Sequence, residues 1–464
     1  MQRTWAISGV DLHLDLKGSR VRAALEAALR DAIAGGRLQP GTRLPSSRAL
    51  AADLGIARNT VAEAYGQLAA EGWLTALRGS GTRVAQRAAE LLPPTRAEQS
   101  AIRFRYDLRP GSPDLAAFPR SAWLAASRRA LREASYETLD YSDPRGLEQL
   151  RSALAAYVAR ARGVHVTPTR VLVASGFTQG FGLLCDVLRE RGANTIALEQ
   201  YVQPGIVEIA TARGLRVATL PVDEHGAVVD QLGTADAVLL TAAHQFPLGV
   251  PLAAGRRAAV IEWARRRGAL VIEDDYDGEF RYDRHPLGAL QALAPEHVVF
   301  AGSASKTLAP GVRLAWLAVP EEMVDELVRA KLLADRNSSA FDQLTLAELI
   351  ISGAYDRHVR RSRLDYRRRR DRLVAALQRQ APRVRISGIA AGLHALLELP
   401  AGADEREIVS RAEARKLALQ GLGAYAASNS AHTHEPALVV GYAKPPQHSF
   451  TGAVARLAAV LAET

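Results

Sequence analysis

Seven short apolar segments that alternate with helical patterns constrain the fold of this chain more than any other feature. Each segment has the length of a buried strand, and helices such as Phe177–Arg189 and Gly255–Arg266 are predicted between several of them. The predicted strands are Arg170–Ala174, Thr195–Leu198, Arg216–Leu220, Ala237–Thr241, Leu270–Asp274, Val298–Ala301 and Leu314–Ala318. The alternation predicts an α/β domain whose central sheet is mostly parallel and covered by helices on both faces.

Three reactive side chains follow the carboxyl ends of two of these strands. Asp274 ends one strand, and Tyr276 faces the same way because strand side chains alternate between the two faces of a sheet. Lys306 lies in the loop Ser303–Arg313, directly after another strand. Because ligands of such sheets bind beyond the carboxyl ends of the strands, we expect all three side chains in one crevice.

An amine, a carboxylate and a phenol in one crevice are the groups that pyridoxal phosphate (PLP) requires. The lysine forms a Schiff base with it, the carboxylate keeps the pyridine nitrogen protonated, and the phenol hydrogen-bonds the ring hydroxyl. Taken singly, Lys306 is better explained as a solvated surface lysine, and the run Asp-Asp-Tyr-Asp at residues 274–277 is compatible with a turn. Their order along the chain, with a phosphate-type loop at Ser175–Gln179 upstream, favours the cofactor.

Length and composition indicate a globular protein of two or three domains, since the chain has 464 residues with 48% hydrophobic and 23% charged residues. No apolar run reaches the roughly 18 residues needed to span a bilayer, and the N-terminus lacks the apolar core of a signal peptide. A single cysteine, Cys185, excludes an intrachain disulfide. We therefore expect a cytoplasmic protein with no membrane attachment, and we expect no metal site.

Positive charge is concentrated at the N-terminal end. Residues 1–88 hold 12 Lys/Arg and 7 Asp/Glu, whereas the other 376 residues hold 47 and 42, so each part contributes +5 to the net charge of +10. One fifth of the chain thus carries half of the excess. This distribution favours a polyanion-binding module attached to a nearly neutral body.

The N-terminal part has the pattern of a helix-turn-helix followed by a hairpin. An amphipathic helix is predicted over residues 20–35, a second over Arg48–Leu54 with Ser46 or Ser47 as its cap, and a third from Arg58 to about Glu71. Two short helices around Gly55 are typical of DNA-binding helix-turn-helix units. Trp73–Val84 is predicted to form a hairpin, or wing, with a glycine-containing tip.

The third helix begins with side chains suited to reading DNA. Arg58, Asn59 and Thr60 occupy its first turn, the part that meets base edges, and Arg and Asn can each make bidentate contacts to a base. Other polar residues of the module suit phosphate contacts, which position the protein without reading sequence. These are Arg43, Ser46, Ser47, Arg48, Arg78 and Arg83. The alternative is a small helical docking domain with a solvated basic face.

These motifs resemble the winged helix of GntR-family transcription regulators. The similar segments are Gly41–Arg48, Leu54–Gly55, Arg58–Val61, Leu68–Leu74 and Gly79–Thr82. The resemblance implies a winged helix-turn-helix over residues 12–86, which binds double-stranded operator DNA. A polar segment with Pro93-Pro94 follows, and residues 87–105 are predicted to be a linker.

The rest of the chain, residues 106–464, resembles the aminotransferase-like domain of the MocR subfamily of GntR regulators. The resemblance is carried by Arg109–Asp114, Tyr141–Gly146, Ser175–Gln179, His244–Gly249, Glu273–Tyr276 and Ser303–Lys306. It implies a fold-type I aminotransferase-like domain with a smaller C-terminal α+β subdomain. It also implies PLP held by Lys306, Asp274 and Tyr276, with His244 or Gln245 approaching the ring hydroxyl and the phosphate on Thr178, Gln179, Ser303, Ser305 and Arg313. The alternative for His244 is a histidine that packs behind the site. Tyr141 would reach the phosphate of a neighbouring subunit, which implies a homodimer.

Two departures from the family pattern bear on function. Gln203 stands where the family has a tyrosine near the ring, with Tyr201 as the possible substitute. No arginine occurs between Arg415 and Arg456, where aminotransferases clamp the substrate carboxylate. We therefore expect a PLP-responsive transcription regulator, with vitamin B6 synthesis genes as the proposed target. The alternatives are an aminotransferase that carries a DNA-binding module and an amino-acid-responsive regulator, and the sequence leaves aminotransferase-type half reactions open.

Nine arginines between Arg357 and Arg372 continue a helical segment predicted from Asp342 onward. The simpler interpretation is a solvated helix face, because Asp356, Asp365 and Asp371 interrupt the run. The alternative is a second phosphate-binding strip that helps to hold or bend operator DNA.

Overall fold

The computed structural model of the protein describes residues 21–77, 81–85, 104–282, 287–427 and 435–463. The chain divides into two compact units, residues 1–102 and residues 103–464. Most of the predicted linker, the start of the predicted winged helix at residues 12–20 and the tip of the wing lie outside the described residues. The domain limits 12–86, 87–105 and 106–464 therefore stay predictions.

The N-terminal unit contains three helices and a two-stranded antiparallel hairpin. They are α1 (Val21–Ala34), α2 (Ser47–Leu54), α3 (Arg58–Ala70), β1 (Leu74–Leu77) and β2 (Gly81–Val84). Gly55, at φ 66°, ends α2 in the left-handed conformation that glycine adopts without strain. Leucines of α1, α2 and α3 form one apolar core with Leu74 and Val84 of the hairpin. The predicted order of helix, helix, helix and wing is confirmed.

The second unit contains fourteen strands among its described residues. They are β3 (Tyr106–Asp107), β4 (Val171–Ala174), β5 (Thr195–Glu199), β6 (Arg216–Leu220), β7 (Val222–Asp223), β8 (Gly226–Ala227), β9 (Ala237–Leu240), β10 (Leu270–Asp274), β11 (Val298–Ser303), β12 (Ala315–Ala318), β13 (Arg385–Ser387), β14 (Ala395–Glu398), β15 (Leu417–Ala418) and β16 (Ala437–Val440).

All seven predicted strands lie in one sheet, in the order β4-β12-β11-β10-β9-β5-β6. The pairs from β11 to β6 are parallel, whereas β12 runs antiparallel to both of its neighbours. The strands β4, β9 and β12 are buried throughout, which is typical of a sheet covered on both faces. The predicted α/β class with a mostly parallel sheet is confirmed.

Helices surround this sheet and continue into a C-terminal subdomain. They are α4 (Arg120–Glu133), α5 (Glu148–Arg162), α6 (Phe177–Glu190), α7 (Ile206–Ala212), α8 (Ala254–Arg267), α9 (Ala304–Thr307), α10 (Val324–Ala334), α11 (Ala340–Ile351), α12 (Ala354–Gln380), α13 (Glu405–Ala414) and α14 (Gln447–Leu461). The helix predicted to continue from Asp342 is in fact two helices. They are separated at Gly353, whose φ of 70° interrupts the α-helical conformation.

The smaller subdomain is α+β, as predicted. Its three-stranded antiparallel sheet has the order β13-β14-β16, and α12 and α14 pack together beside it. No helix of the described residues is long and apolar enough to cross a membrane.

Candidate functional site

A cavity of about 280 Å³ lies beyond the carboxyl ends of the central strands and contains the three predicted reactive groups. Asp274 ends β10, Tyr276 follows it by two residues, and Lys306 lies on α9, directly after β11. β10 and β11 are parallel neighbours, with Asp274 paired to Ala301. Their carboxyl ends therefore meet at one edge of the sheet, and the side chains that follow them share one space.

The Lys306 amine is held in an environment that favours its neutral, nucleophilic form. Its Nζ donates a hydrogen bond of 2.6 Å to the carbonyl oxygen of Gly111. Burial lowers the pKa of Lys306 below its usual value, and the nearby carboxylate of Asp274 opposes this shift. Burial likewise raises the pKa of Asp274 to about 8, with Lys306 acting in the opposite direction. A desolvated lysine of this kind is suited to attack a carbonyl carbon.

Tyr276 is positioned by a hydrogen-bonded histidine. The Tyr276 hydroxyl lies 3.1 Å from Nδ1 of His244, and the same nitrogen lies 2.9 Å from Oδ2 of Asp277. His244 is buried and does not line the cavity, so it contacts the back of Tyr276. The residue predicted to approach a cofactor ring directly thus positions a residue that lines the cavity.

A candidate phosphate cradle lies where β4 enters α6. The register Ser303–Ala315–Ala174 across β11, β12 and β4 brings the loops after β11 and β4 to the same level. Arg313 donates a hydrogen bond to the carbonyl oxygen of Ser175 at the start of α6. Gly176, at φ 104°, precedes α6, and a Cβ added there would lie 2.8 Å from the Arg313 guanidinium. The missing side chain at Gly176 thus lets the Arg313 guanidinium lie against the start of α6, where helix amides favour an anion.

The other residues predicted to bind the phosphate differ in their hydrogen bonds and exposure. The Ser303 hydroxyl accepts a hydrogen bond of 3.0 Å from the Ser305 amide and caps α9. The Gln179 side chain accepts a hydrogen bond of 2.7 Å from the Ser175 amide and donates one of 2.6 Å to the Asp335 carboxylate. Thr178 is exposed in the first turn of α6. All of these residues lie around the helix start that Arg313 contacts or on the short α9 beside it.

Tyr141 lies outside the cavity in the single chain. Its side chain is 75% exposed, and the Arg336 guanidinium stacks over its ring at 4.3 Å. Arg336 itself adopts a left-handed backbone conformation, with φ 67°, directly after the Asp335 that binds Gln179. The phosphate cradle and Tyr141 are therefore connected through two consecutive residues.

Several cavity-lining residues were not predicted from the sequence as site residues. Phe246 packs edge-to-face on Tyr276, Tyr425 and His394, and burial lowers the pKa of His394 to about 3. Gln420 lines the same wall, as do Gln203 and Tyr201, which the sequence did indicate as neighbours of the ring. His394 and Tyr425 come from the C-terminal subdomain, and no local motif marks them. The Phe246–Pro247 motif was noted in sequence, but its aromatic contacts arise only from the fold.

Two of the residues predicted to read DNA bases, Arg58 and Asn59, lie on an exposed surface of the N-terminal unit. Arg58 and Asn59 are exposed at the start of α3, and its cap residue Ala57 offers no side-chain acceptor to the first helical amides. Arg43 and Arg48 are also exposed. This arrangement is compatible with an electronegative ligand at the start of α3.

Two other predicted phosphate contacts have structural partners. The Ser46 hydroxyl caps α2 by accepting a hydrogen bond of 3.2 Å from the Ala49 amide, and Ser47 is the first residue of that helix. Arg83 donates a hydrogen bond of 2.9 Å to the Gly41 carbonyl, and this bond joins the wing to the turn before α2. Thr60 is half-buried, and Arg78 lies outside the described residues.

Comparison with known proteins identifies both parts of the chain. Residues 22–84 match the bacterial regulatory proteins of the gntR family, and residues 111–423 match the aminotransferase class I and II family. The HTH-type pyridoxine biosynthesis transcriptional regulator PdxR of Corynebacterium glutamicum is 36% identical over 80% of this chain and 82% of its own length. The chain is a member of the MocR-type GntR regulators.

Two further similarities agree with this assignment. The probable rhizopine catabolism regulatory protein MocR of Rhizobium meliloti is 30% identical to this regulator over 76% of each chain. The crystal structure of LysN, an α-aminoadipate aminotransferase of Thermus thermophilus, superposes with a TM-score of 0.68 at 27% identity and covers 76% of this chain and 91% of LysN. The regulator thus joins a DNA-binding winged helix to an aminotransferase fold, and its function is transcription regulation.

Proposed function

We propose that this regulator senses PLP through Lys306 and changes its affinity for operator DNA in response. The observation that carries the proposal is the meeting of Lys306, Asp274 and Tyr276 in one cavity beyond the strand ends. When bound, PLP would supply an electrophilic aldehyde on a protonated pyridine ring. The Lys306 amine, whose pKa burial lowers, suits the aldehyde, and the Asp274 side chain can pair with the ring nitrogen.

The cradle at the start of α6 supports a phosphorylated ligand. Gly176 lets the Arg313 guanidinium lie against this helix start, and Gln179 and Ser305 lie at the same helix start and on the neighbouring α9. An arginine and helix amides together favour a dianion over an uncharged group. Pyridoxal without its phosphate is therefore expected to bind much more weakly than PLP.

We further propose a homodimer that acts in the cytoplasm. Large apolar side chains are exposed on α4, α10, α11 and the segments beside them, and a second subunit would cover them. They include Leu131, Tyr136, Leu139, Leu333, Phe341 and Ile351. Tyr141 is equally exposed, and in the dimer it would reach the phosphate bound by the neighbouring subunit. Vitamin B6 synthesis genes are the proposed target, because the PdxR relative carries pyridoxine biosynthesis in its name.

The alternative functions need an anchor for a substrate carboxylate. Aminotransfer and amino-acid sensing both require an arginine or an equivalent donor beside the cofactor. Among the described residues that line the cavity, none is an arginine, and the wall beside Tyr276 consists of aromatic rings, His394 and amide side chains. This composition favours PLP itself as the signal.

A PLP titration of the purified full-length regulator tests the proposal. We expect a visible absorbance band in the wild type, none in Lys306→Ala, and a normal band in Lys444→Ala, a matched lysine outside the cavity. Operator affinity should depend on PLP only in the two proteins that show the band. A band of equal strength in Lys306→Ala would contradict the assignment of this lysine. Band loss on adding amino acids, with keto-acid release, would favour the aminotransferase.

A further inference from the structure

The arginine-rich helix α12 borders a groove that neither the winged helix nor the cofactor cavity uses. The groove has a volume of about 750 Å³ and lies between α12 and residues 114–122. Four exposed arginines line it: Arg120, Arg357, Arg361 and Arg368. Because residues four and seven apart lie on one side of a helix, Arg357, Arg361 and Arg368 form a single row along α12.

The positive charge of this groove is not neutralised by the protein. Its two carboxylates, Asp114 and Asp365, both bind the buried Arg369, at 2.6 Å and 2.8 Å. Arg120 and Arg357 donate only to backbone carbonyls. Within the described ranges, none of the four exposed arginines forms an ion pair with a carboxylate. A row of unpaired guanidinium groups in a concave surface attracts anions and raises their local concentration.

The structure also separates the arginines that stabilise the fold from those that face the groove. Arg369 is 3% exposed and, besides its two carboxylates, donates to the carbonyls of Ala443 and Pro445. Arg363 donates to the carbonyl of Glu279. Reversing charges across the whole run would therefore disrupt the fold, whereas Arg361 and Arg368 form no hydrogen bond or ion pair with other described residues.

We propose that this groove is a second phosphate-binding site, which holds the backbone of operator DNA outside the bases read by the winged helix. Guanidinium groups bind phosphate oxygens in bidentate geometry, and a row of them matches a chain of phosphates. The groove also contacts the PLP region: His358 lines it, and its Nε2 lies 2.8 Å from the carbonyl of Thr307, next to Lys306. The inference rests on DNA binding by the winged helix and not on PLP.

The test compares two double variants of the full-length protein. Arg361→Gln with Arg368→Gln removes the two unpaired groove charges. Arg360→Gln with Arg367→Gln is the matched control, since these arginines have the same spacing on α12, are exposed and lie outside the groove. Operator affinity is measured against salt concentration on a short fragment that carries only the recognised bases and on a fragment with long flanks.

On the long fragment, the plot of log affinity against log salt should be less steep for the groove variant by about 1.8, since each of the two lost phosphate contacts contributes roughly 0.9. The control should keep the wild-type slope, and Arg361→Lys with Arg368→Lys should restore most of the affinity. On the short fragment, all proteins should bind alike, which shows that the winged helix is intact. A loss of short-fragment binding in every protein, wild type included, would instead count against the DNA-reading face.

Three outcomes would overturn the proposal. One is an unchanged salt slope of the groove variant on the long fragment. Another is an equal loss on both fragments, which would mean that the substitutions act on binding to the recognised bases and not on contacts to the flanking DNA. The third is calorimetric binding of inorganic phosphate that the groove variant loses while its DNA slope stays unchanged. The groove would then serve a free phosphate compound and not DNA.

Discussion

The two candidate sites of this regulator are built in opposite ways. In the N-terminal unit, the residues predicted to read DNA, Arg58, Asn59 and Thr60, are consecutive, and one helix start presents Arg58 and Asn59 to solvent. In the second unit, the cavity groups come from segments between Gly111 and Tyr425, and strand ends bring them together. One site depends on local helix geometry, and the other depends on the topology of the whole sheet.

This difference has a chemical consequence. An exposed guanidinium acts through its charge and hydrogen-bonding geometry, which the amino-acid type already supplies. The buried site acts through environment, because burial raises the pKa of Asp274 to about 8 and lowers that of His394 to about 3. Substitutions should therefore change binding specificity in the first unit and ligand affinity or pH dependence in the second.

The largest effect is expected at the phosphate cradle. Gly176→Ala places a Cβ against the Arg313 guanidinium and should raise the Kd for PLP by about a hundredfold or more, or roughly 2.7 kcal/mol. Gly192→Ala is the control, since its φ of 90° is similar but nothing lies within 4 Å. Both should lose roughly 1–3 kcal/mol of stability. If titration gives the two variants equal PLP affinity, the phosphate does not bind at the start of α6.

An effect of similar size is expected from the buried Glu199, which accepts hydrogen bonds from the amide and hydroxyl of Thr241. Burial raises the pKa of Glu199 from 4.5 to about 7. Between these values the unfolded carboxyl ionises while the folded one keeps its proton, so the free energy of unfolding falls as pH rises. In Glu199→Gln, this pH-dependent fall in the free energy of unfolding, on the order of 3 kcal/mol, should be absent.

Urea unfolding of the wild type and Glu199→Gln across this pH range measures the effect. Glu208→Gln, at an exposed position of α7, should behave as the wild type. Parallel pH curves for all three proteins would show that the Glu199 carboxyl is ionised in the folded state.

The base-reading contact comes next. Arg58→Ala should remove about 1–3 kcal/mol of discrimination between the operator and single-base variants. Arg43→Ala should weaken binding to all sequences alike, because a phosphate contact does not read bases. Binding measurements on a panel of operator variants separate the two. If both substitutions weaken every sequence equally, the start of α3 does not contact bases.

The smallest effect tests whether the exposed surface also contributes to stability. Ser46→Ala should destabilise the N-terminal unit by about 1 kcal/mol, because the hydroxyl caps α2. Ser47→Ala, one residue further and inside the helix, should cost less. Thermal unfolding measures both, and identical melting temperatures of the two variants would contradict the capping role.

Local patterns in the sequence determined the elements of both units. The apolar segments, Gly55 and the spacing of the helices predicted all seven central strands and the three N-terminal helices. The alternation of strand side chains and the rule that ligands bind at strand ends predicted that Asp274, Tyr276 and Lys306 share one space. These predictions succeed because they depend on local periodicity and on the direction of parallel strands.

Only the tertiary structure decided which side chains surround those groups. His394 and Tyr425 reach the cavity from another subdomain, and His244 contacts Tyr276 from behind. The same holds for α12, where one arginine is buried against Asp114 while Arg361 and Arg368 stay unpaired, although all look alike in sequence. Burial and charge pairing depend on distant segments, and the packing of those segments is not encoded in local pattern.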